Sequence, residues 1–204
     1  RSLSDPDHRK IVSAAVQEAH YMVSLLRNLG AATRLGESGQ PVLLSPVDVS
    51  ALVERVVARH QPIARTAEVD LNAAVPDPPL VVSSDHTLLE QALSNIVDNA
   101  VRYNRPRGHV AVVLDRDGAG FSLSVEDDGP GVTDEELSRL TTRSFRGSEA
   151  RTRRPDGRGL GLAIAVEALT RLGLSLTFQR SASGGLRVEI RPAAVGGSGV
   201  PVAG

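Results

Sequence analysis

Residues 85-DHTLLEQALSNIVDNAVRY-103 decide the fold. Leu89, Leu93 and Ile96 recur at the spacing of one helical side, and Asp85 stands where a cap belongs. Asn95, Asn99 and Arg102 sit at i, i+4 and i+7, so they share a different face. The segment predicts an amphipathic helix over 85–103 with its apolar side on a core. Asparagine is a poor helix former, so two of them in mid-helix need a reason. Two amides and a guanidinium in a row can hold a hydrated metal ion and a phosphate, since Mg2+ takes few protein ligands and keeps water and phosphate oxygens. A plain solvent-facing polar stripe is the competing reading of the same residues.

Working outward, the pattern alternates between helices and strands. Residues 4-SDPD-7 resemble a helix start, and Ile11, Ala15, Ala19, Met22, Leu25, Leu26 and Leu29 then recur at helical spacing to about 36-GESGQP-41. So long a helix near the N-terminus suits a bundle or coiled-coil arm better than a compact core. A second helix is expected from Asp48, carrying Leu52, Val53, Val56, Val57 and Ile63. Short apolar runs at 69–75 and 80–82 predict strands, separated by the turn-rich 76-PDPP-79. The alternating segments 109–115 and 121–127 flank 116-RDGAG-120 and predict a hairpin. An irregular stretch with two short helical patches, 128–156, precedes a fourth helix over 160–173, and strands at 174–180 and 186–191 follow, joined by a Ser/Gly turn. Helices mixed with mostly antiparallel strands give an α+β class, a two-layer sandwich. The last dozen residues predict a disordered tail from 193 to 204.

Bulk properties narrow the function classes. The chain has 204 residues, 41% of them hydrophobic, with a formal net charge of -1. That balance gives no reason to expect nucleic acid or a membrane surface as a bulk partner. With no cysteine, disulfides and thiol chemistry are excluded. No apolar run approaches the ~20 residues of a membrane span. Aromatic residues make up only 2%, so the core must be aliphatic. The absence of an initial Met and of a signal peptide fits a cytosolic fragment of a longer protein.

Three further stretches carry chemistry. In 126-EDDGPGV-132, Asp127 ends a strand, and Gly129 and Gly131 let backbone approach a ligand. A carboxylate there can accept a hydrogen bond from an exocyclic amine such as that of adenine. A simple Asp-Gly-Pro-Gly turn explains the same string. In 157-GRGLGL-162 three glycines precede a helix, whose N-terminal N–H groups suit phosphate. No Lys-Ser/Thr follows, so it is not a Walker-type loop, and it lies outside any βαβ unit, which removes the dinucleotide-binding reading. Between them, 143-RSFRGSEARTRRPDGR-158 carries six Arg. This is either a solvated loop or a lid whose Arg side chains meet phosphate charge, with Phe145 anchoring it.

In the order Asn-helix, DDGPG, SFRG, GRGLGL, these pieces resemble the sensor histidine kinases of bacterial two-component systems, whose ATP-binding domain is shared with gyrase B, Hsp90 and MutL. The resemblance covers residues 46–192. It implies that Asn99 ligates Mg2+ with Asn95 in support, and that Arg102 and Tyr103 contact phosphate and nucleotide. By the same resemblance Asp127 reads the adenine amine in a pocket shaped by Gly129 and Gly131. Phe145 and Arg146 of the lid, with Gly157, Gly159, Leu160 and Gly161, surround the triphosphate. It implies three regions: a second hairpin helix of a dimerisation and phosphotransfer module (1–40), the ATP-binding catalytic domain (41–192), and the tail. The implied partners are a cognate response regulator and, in the whole protein, a second copy as a homodimer, on the cytoplasmic side of an inner-membrane-anchored sensor.

Two departures accompany the resemblance. None of His8, His20, His60, His86 and His109 lies in the family's acceptor context, so the phosphorylated histidine is expected outside this chain, with His20 a weak substitute. After Gly185 stand Leu186 and Arg187, where the family often has two threonines, which puts a water-mediated adenine contact from that strand in question. The ATP-hydrolysing relatives carry a Glu four residues before the metal-binding Asn. Here that place holds Asn95, which cannot act as a base. Asp98 lies ~100° round the helix and is less well placed to substitute. Transfer of the ATP γ-phosphate to a histidine is therefore favoured over hydrolysis of the gyrase B or Hsp90 type, and over a non-catalytic nucleotide sensor or scaffold.

Overall fold

A computed structural model describes residues 41–118, 120–137, 140 and 161–193. The chain divides between Gln40 and Pro41, and the second unit is described by itself. The expected N-terminal helix over residues 1–40, the expected arginine-rich lid and all but the first residue of the expected tail lie outside the described residues.

The core sits between one sheet and three helices. Strands β2 (Asp70–Ala74), β4 (His109–Asp117), β5 (Gly120–Asp127), β6 (Leu174–Arg180) and β7 (Leu186–Pro192) form a sheet of order β2-β4-β5-β7-β6. Only β2 and β4 run parallel; the other three pairings are antiparallel. The mixed, mostly antiparallel sheet expected from the sequence is therefore present. Two short strands, β1 (Ser45–Asp48) and β3 (Val81–Ser84), pair separately. Sequence patterning misses β1, because four residues holding a proline show neither period. It exists because β3 supplies the ladder.

Alternation along the strands sorts the two faces of the sheet. Val110, Val112 and Leu114 of β4, Phe121, Leu123 and Val125 of β5, and Leu186, Val188 and Ile190 of β7 are buried beneath the helices. The intervening residues form the opposite face, which carries a row of charged side chains on β5 and β7. There Arg187 bridges Glu126 and Glu189, and Arg191 bridges Glu189 and Asp117. One apolar and one charged face is what a two-layer sandwich requires.

Helix α1 (Val49–Thr66) starts where Asp48 accepts a hydrogen bond from the Ala51 N–H at 2.9 Å. Helix α2 (His86–Tyr103) starts where Asp85 accepts from the N–H groups of Thr87 and Leu88. Its buried residues are Leu89, Ala92, Leu93, Ile96, Val97, Ala100 and Val101, the 3–4 spacing of one side. Short helix α3 (Asp134–Leu137) follows β5, and α4 (Gly161–Arg171) packs against α2 and β6. Two helical patches were expected over 128–156, and α3 is the one within the described residues.

Candidate nucleotide site

Helix α2 carries one end of the site. Its apolar side is spent on the sheet, which leaves Asn95, Asn99 and Arg102 on the opposite side, as their spacing predicts. That polar side is not simply solvated. Asn95 Nδ2 and Arg102 Nη2 are buried side-chain donors with no hydrogen-bond partner. Leaving such a donor unmet costs about 1–3 kcal/mol. The first residue of α4 lies against Asn95: a methyl group added at Gly161 would come 3.9 Å from Asn95 Cβ and Oδ1. The start of α4 is thus brought to the amide row of α2, and its leading N–H groups carry partial positive charge.

Arg102 is held from its own helix. Its Nε donates to both carboxylate oxygens of Asp98 at 2.7 Å, one turn back. Their side chains are 10% and 19% exposed, so this is not a freely solvated surface pair. Beneath them, buried His60 of α1 is bonded through Nδ1 to the Val56 carbonyl at 2.8 Å and approaches Ser94 Oγ at 3.4 Å. Burial pushes the His60 pKa down, against the opposing pull of the Val56 carbonyl and the Asp98 charge.

Asp127, at the end of β5, forms the other end. Its Oδ1 accepts from the backbone N–H of Gly129 at 2.9 Å and of Leu186 at 3.2 Å. Burial raises its pKa to about 6; those two amides oppose the shift, and the charges of Asp128 and Glu126 add to it. The turn between β6 and β7 closes over this carboxylate. Ser181 Oγ donates to Glu126 at 2.6 Å, and Ser183 Oγ donates to the Asp127 carbonyl at 3.3 Å. A methyl group on Gly185 would collide with the backbone oxygen and Oδ1 of Asp127. Gly131 has φ +69, a conformation that favours glycine, and a methyl group there would collide with the Gly184 carbonyl.

Asn104 joins the two ends. It follows α2, its Nδ2 donates to the His109 carbonyl at 3.1 Å, and a methyl group on Gly129 would come 3.3 Å from its Oδ1. The end of the amide helix therefore touches the glycine loop after β5.

Of the residues expected from sequence, Asn95, Asn99, Arg102 and Tyr103 lie on α2, Asp127, Gly129 and Gly131 at the β5 exit, and Gly161 at the start of α4. Phe145, Arg146, Gly157, Gly159 and Leu160 lie outside the described residues. Asn104 escapes sequence reasoning, and Gly185 and Leu186 enter it only as a departure from the family's strand, not as partners of Asp127. Leu186 contributes only its main chain, for which its side chain gives no signal. Gly184-Gly185 was visible as a turn, but its contact with Asp127 joins residues 58 apart in the chain. Among the described residues no three His, Cys, Asp or Glu cluster as metal ligands. The donor set suits magnesium held by an amide and by phosphate oxygens, not a closed all-protein site. No described helix is long and apolar enough to cross a membrane.

Comparison with known proteins supports the same reading. Residues 84–195 match the family described as histidine kinase-, DNA gyrase B-, and HSP90-like ATPases. The sensor-like histidine kinase SenX3 of Mycobacterium tuberculosis is 35% identical over 157 residues, 76% of this chain and 38% of its own length. The chain thus spans well under half of the curated relatives it matches. Among solved structures, the mycobacterial sensor histidine kinase MprB is 29% identical with a TM-score of 0.64, covering 72% of this chain and 99% of that one. Full-length ShkA in complex with AMPPNP is 25% identical with a TM-score of 0.71, covering 100% of this chain and 41% of that one. The match over residues 84–195 and the identity to these kinases place the chain in the histidine kinase-, DNA gyrase B- and HSP90-like ATPase family, as a catalytic domain of the sensor histidine kinase type.

Proposed function

We propose that this domain positions ATP so that its γ-phosphate passes to a histidine on a phosphotransfer helix, and then to an aspartate of a cognate response regulator. The observation that carries the reading is the pair of unmet buried donors, Asn95 Nδ2 and Arg102 Nη2, on the side of α2 met by the start of α4. A phosphate chain supplies the acceptors those donors lack. Asp127 spends Oδ1 on two main-chain amides, which leaves Oδ2 to accept the adenine amine. Tyr103, the last residue of α2, would contact the nucleotide. From the lid, Phe145 and Arg146 would cover the phosphates together with Gly157, Gly159, Leu160 and Gly161. Asn99, supported by Asn95, would hold Mg2+, which when bound neutralises phosphate charge.

Transfer is favoured over hydrolysis by two observations. Asn95 occupies the position from which a Glu would activate water, and it is no base. Asp98, the neighbouring carboxylate, is committed to Arg102. Homodimerisation through residues 1–40 and a place on the cytoplasmic side of a membrane-anchored sensor complete the proposal. They rest on the helical pattern of that segment and on the kind of protein its relatives are.

The test is a nucleotide titration followed by phosphotransfer to a separately supplied acceptor-helix hairpin. Labelled hairpin is expected, with Asn99→Ala and Asp127→Ala each weakening ATP binding by about tenfold or more. Binding without transfer would mark a nucleotide sensor, and phosphate release without the hairpin would mark an ATPase. Unchanged affinity in both folded variants would remove the site itself.

A further inference from the structure

Asp98 touches none of the ligand groups proposed above, yet it is tied to one of the residues that do. An arginine and a carboxylate often meet fork to fork, through two parallel N–H···O bonds from two different nitrogens. Here both Asp98 oxygens converge on the inner nitrogen, Nε, at 2.7 Å. Nη2 is left buried and without a partner. The guanidinium is planar and rigid, so fixing Nε fixes where its outer nitrogens lie. On the inner side Asp98 has the buried imidazole of His60 close enough for their charges to interact, and His60 is itself anchored to Val56 and Ser94.

We infer that Asp98 is a positioning residue: it clamps Arg102 by Nε so that the outer guanidinium nitrogens are presented, preformed, to the phosphate chain of the nucleotide. This rests on the reading that Arg102 meets the triphosphate. Asp98 neither touches the nucleotide nor takes a proton from water. Its contribution is to remove the rotamer search that a free arginine makes on each binding event.

The clamp has a signature that a merely stabilising pair lacks. It acts on ligands with phosphates and not on the base alone, and it acts only through Arg102. ATP with magnesium and, separately, adenosine are titrated against the wild-type chain, Asp98→Ala, Asp98→Asn, Arg102→Ala and the Asp98→Ala/Arg102→Ala double variant. Asp98→Ala is expected to weaken ATP by about tenfold and adenosine by less than about twofold. Asp98→Asn, which keeps an oxygen for Nε and the shape of the side chain, is expected to lose less, and it carries the test if the alanine variant fails to fold. The double variant is expected to bind ATP no more weakly than Arg102→Ala. Equal losses for ATP and adenosine, or additive losses in the double variant, would overturn the inference. If Arg102→Ala weakens ATP and neither Asp98 variant does, the clamp alone falls. If Arg102→Ala itself leaves ATP binding unchanged, the phosphate contact falls and the clamp with it.

Discussion

Asp127 is a carboxylate whose surroundings favour its proton. Burial lifts its pKa to about 6, while the Gly129 and Leu186 amides pull the other way. A charged acceptor serves an exocyclic amine better than a neutral one. The bound state therefore favours the ionised form, and base affinity should follow deprotonation. Adenosine is the clean probe, because it carries no phosphate that titrates near pH 6. Its affinity is expected to rise by up to about tenfold between pH 5 and pH 7 and then level off. Asp127→Asn should bind adenosine more weakly at pH 7 and show a flat profile, as titration calorimetry at three pH values would reveal. An Asp127→Asn profile that still climbs would assign the pH dependence to another group.

At the scale of elements, α2 is both the main core helix and the floor of the site. Its entry is set by Asp85, which accepts from Thr87 and Leu88 and, through Oδ2, from the Leu43 N–H at 3.0 Å. Asp85→Ala is expected to cost about 1–2 kcal/mol of stability, read as a lower midpoint in urea. ATP affinity should hold, because the cap is more than two helical turns from Asn95. This helix was legible from sequence because its signals are local. A capping Asp, an apolar side at 3–4 spacing and polar residues on the other side all lie within nineteen positions. The hairpin of β4 and β5 was legible for the same reason, as two alternating runs around a Gly-containing turn. Strand β1 was not, since it is defined only by pairing with β3 across some thirty residues. The turn over Asp127 was seen as a turn, but its function depends on contacts with β5 that no local pattern encodes. Motif order along the chain points to the proposed nucleotide site, whereas the Asp98–Arg102 bond and the Leu186 amide appear only in the fold.

For the molecule as a whole, two buried titrations oppose each other. Asp127 has a raised pKa, so the folded state keeps a proton that the unfolded chain has lost; its contribution to stability is present below about pH 4 and is lost as pH rises through about 6. His60 has a lowered pKa, so the unfolded chain takes up a proton that the fold refuses; its contribution is present above the ordinary histidine value of about 6.5 and is lost as pH falls below it. Glu126 is held low by Ser181 and Arg187, and Glu189 by Arg191 and Arg187. Both lose their contribution only as pH falls below the ordinary glutamate range. Between pH 5 and pH 7 the two buried groups should largely cancel, and unfolding free energy should vary little. Removing Asp127 as asparagine leaves the histidine limb alone, so stability should then climb with pH across that window, on the order of 1 kcal/mol. Urea unfolding of both proteins at pH 5, 6 and 7 decides it; parallel curves would show that Asp127 does not carry the opposing limb.

The Leu186 amide has one more implication. A ligand that competes for the proposed base pocket meets a wall held in place by a main-chain N–H, a group common to every amino acid except proline. Any side chain that still packs in the core here keeps that grip, and an inhibitor relying on it would be hard to escape by point mutation at this position. The evasive change, Leu186→Pro, would remove the amide that Asp127 accepts from, at the first residue of β7, a place where a strand accommodates proline.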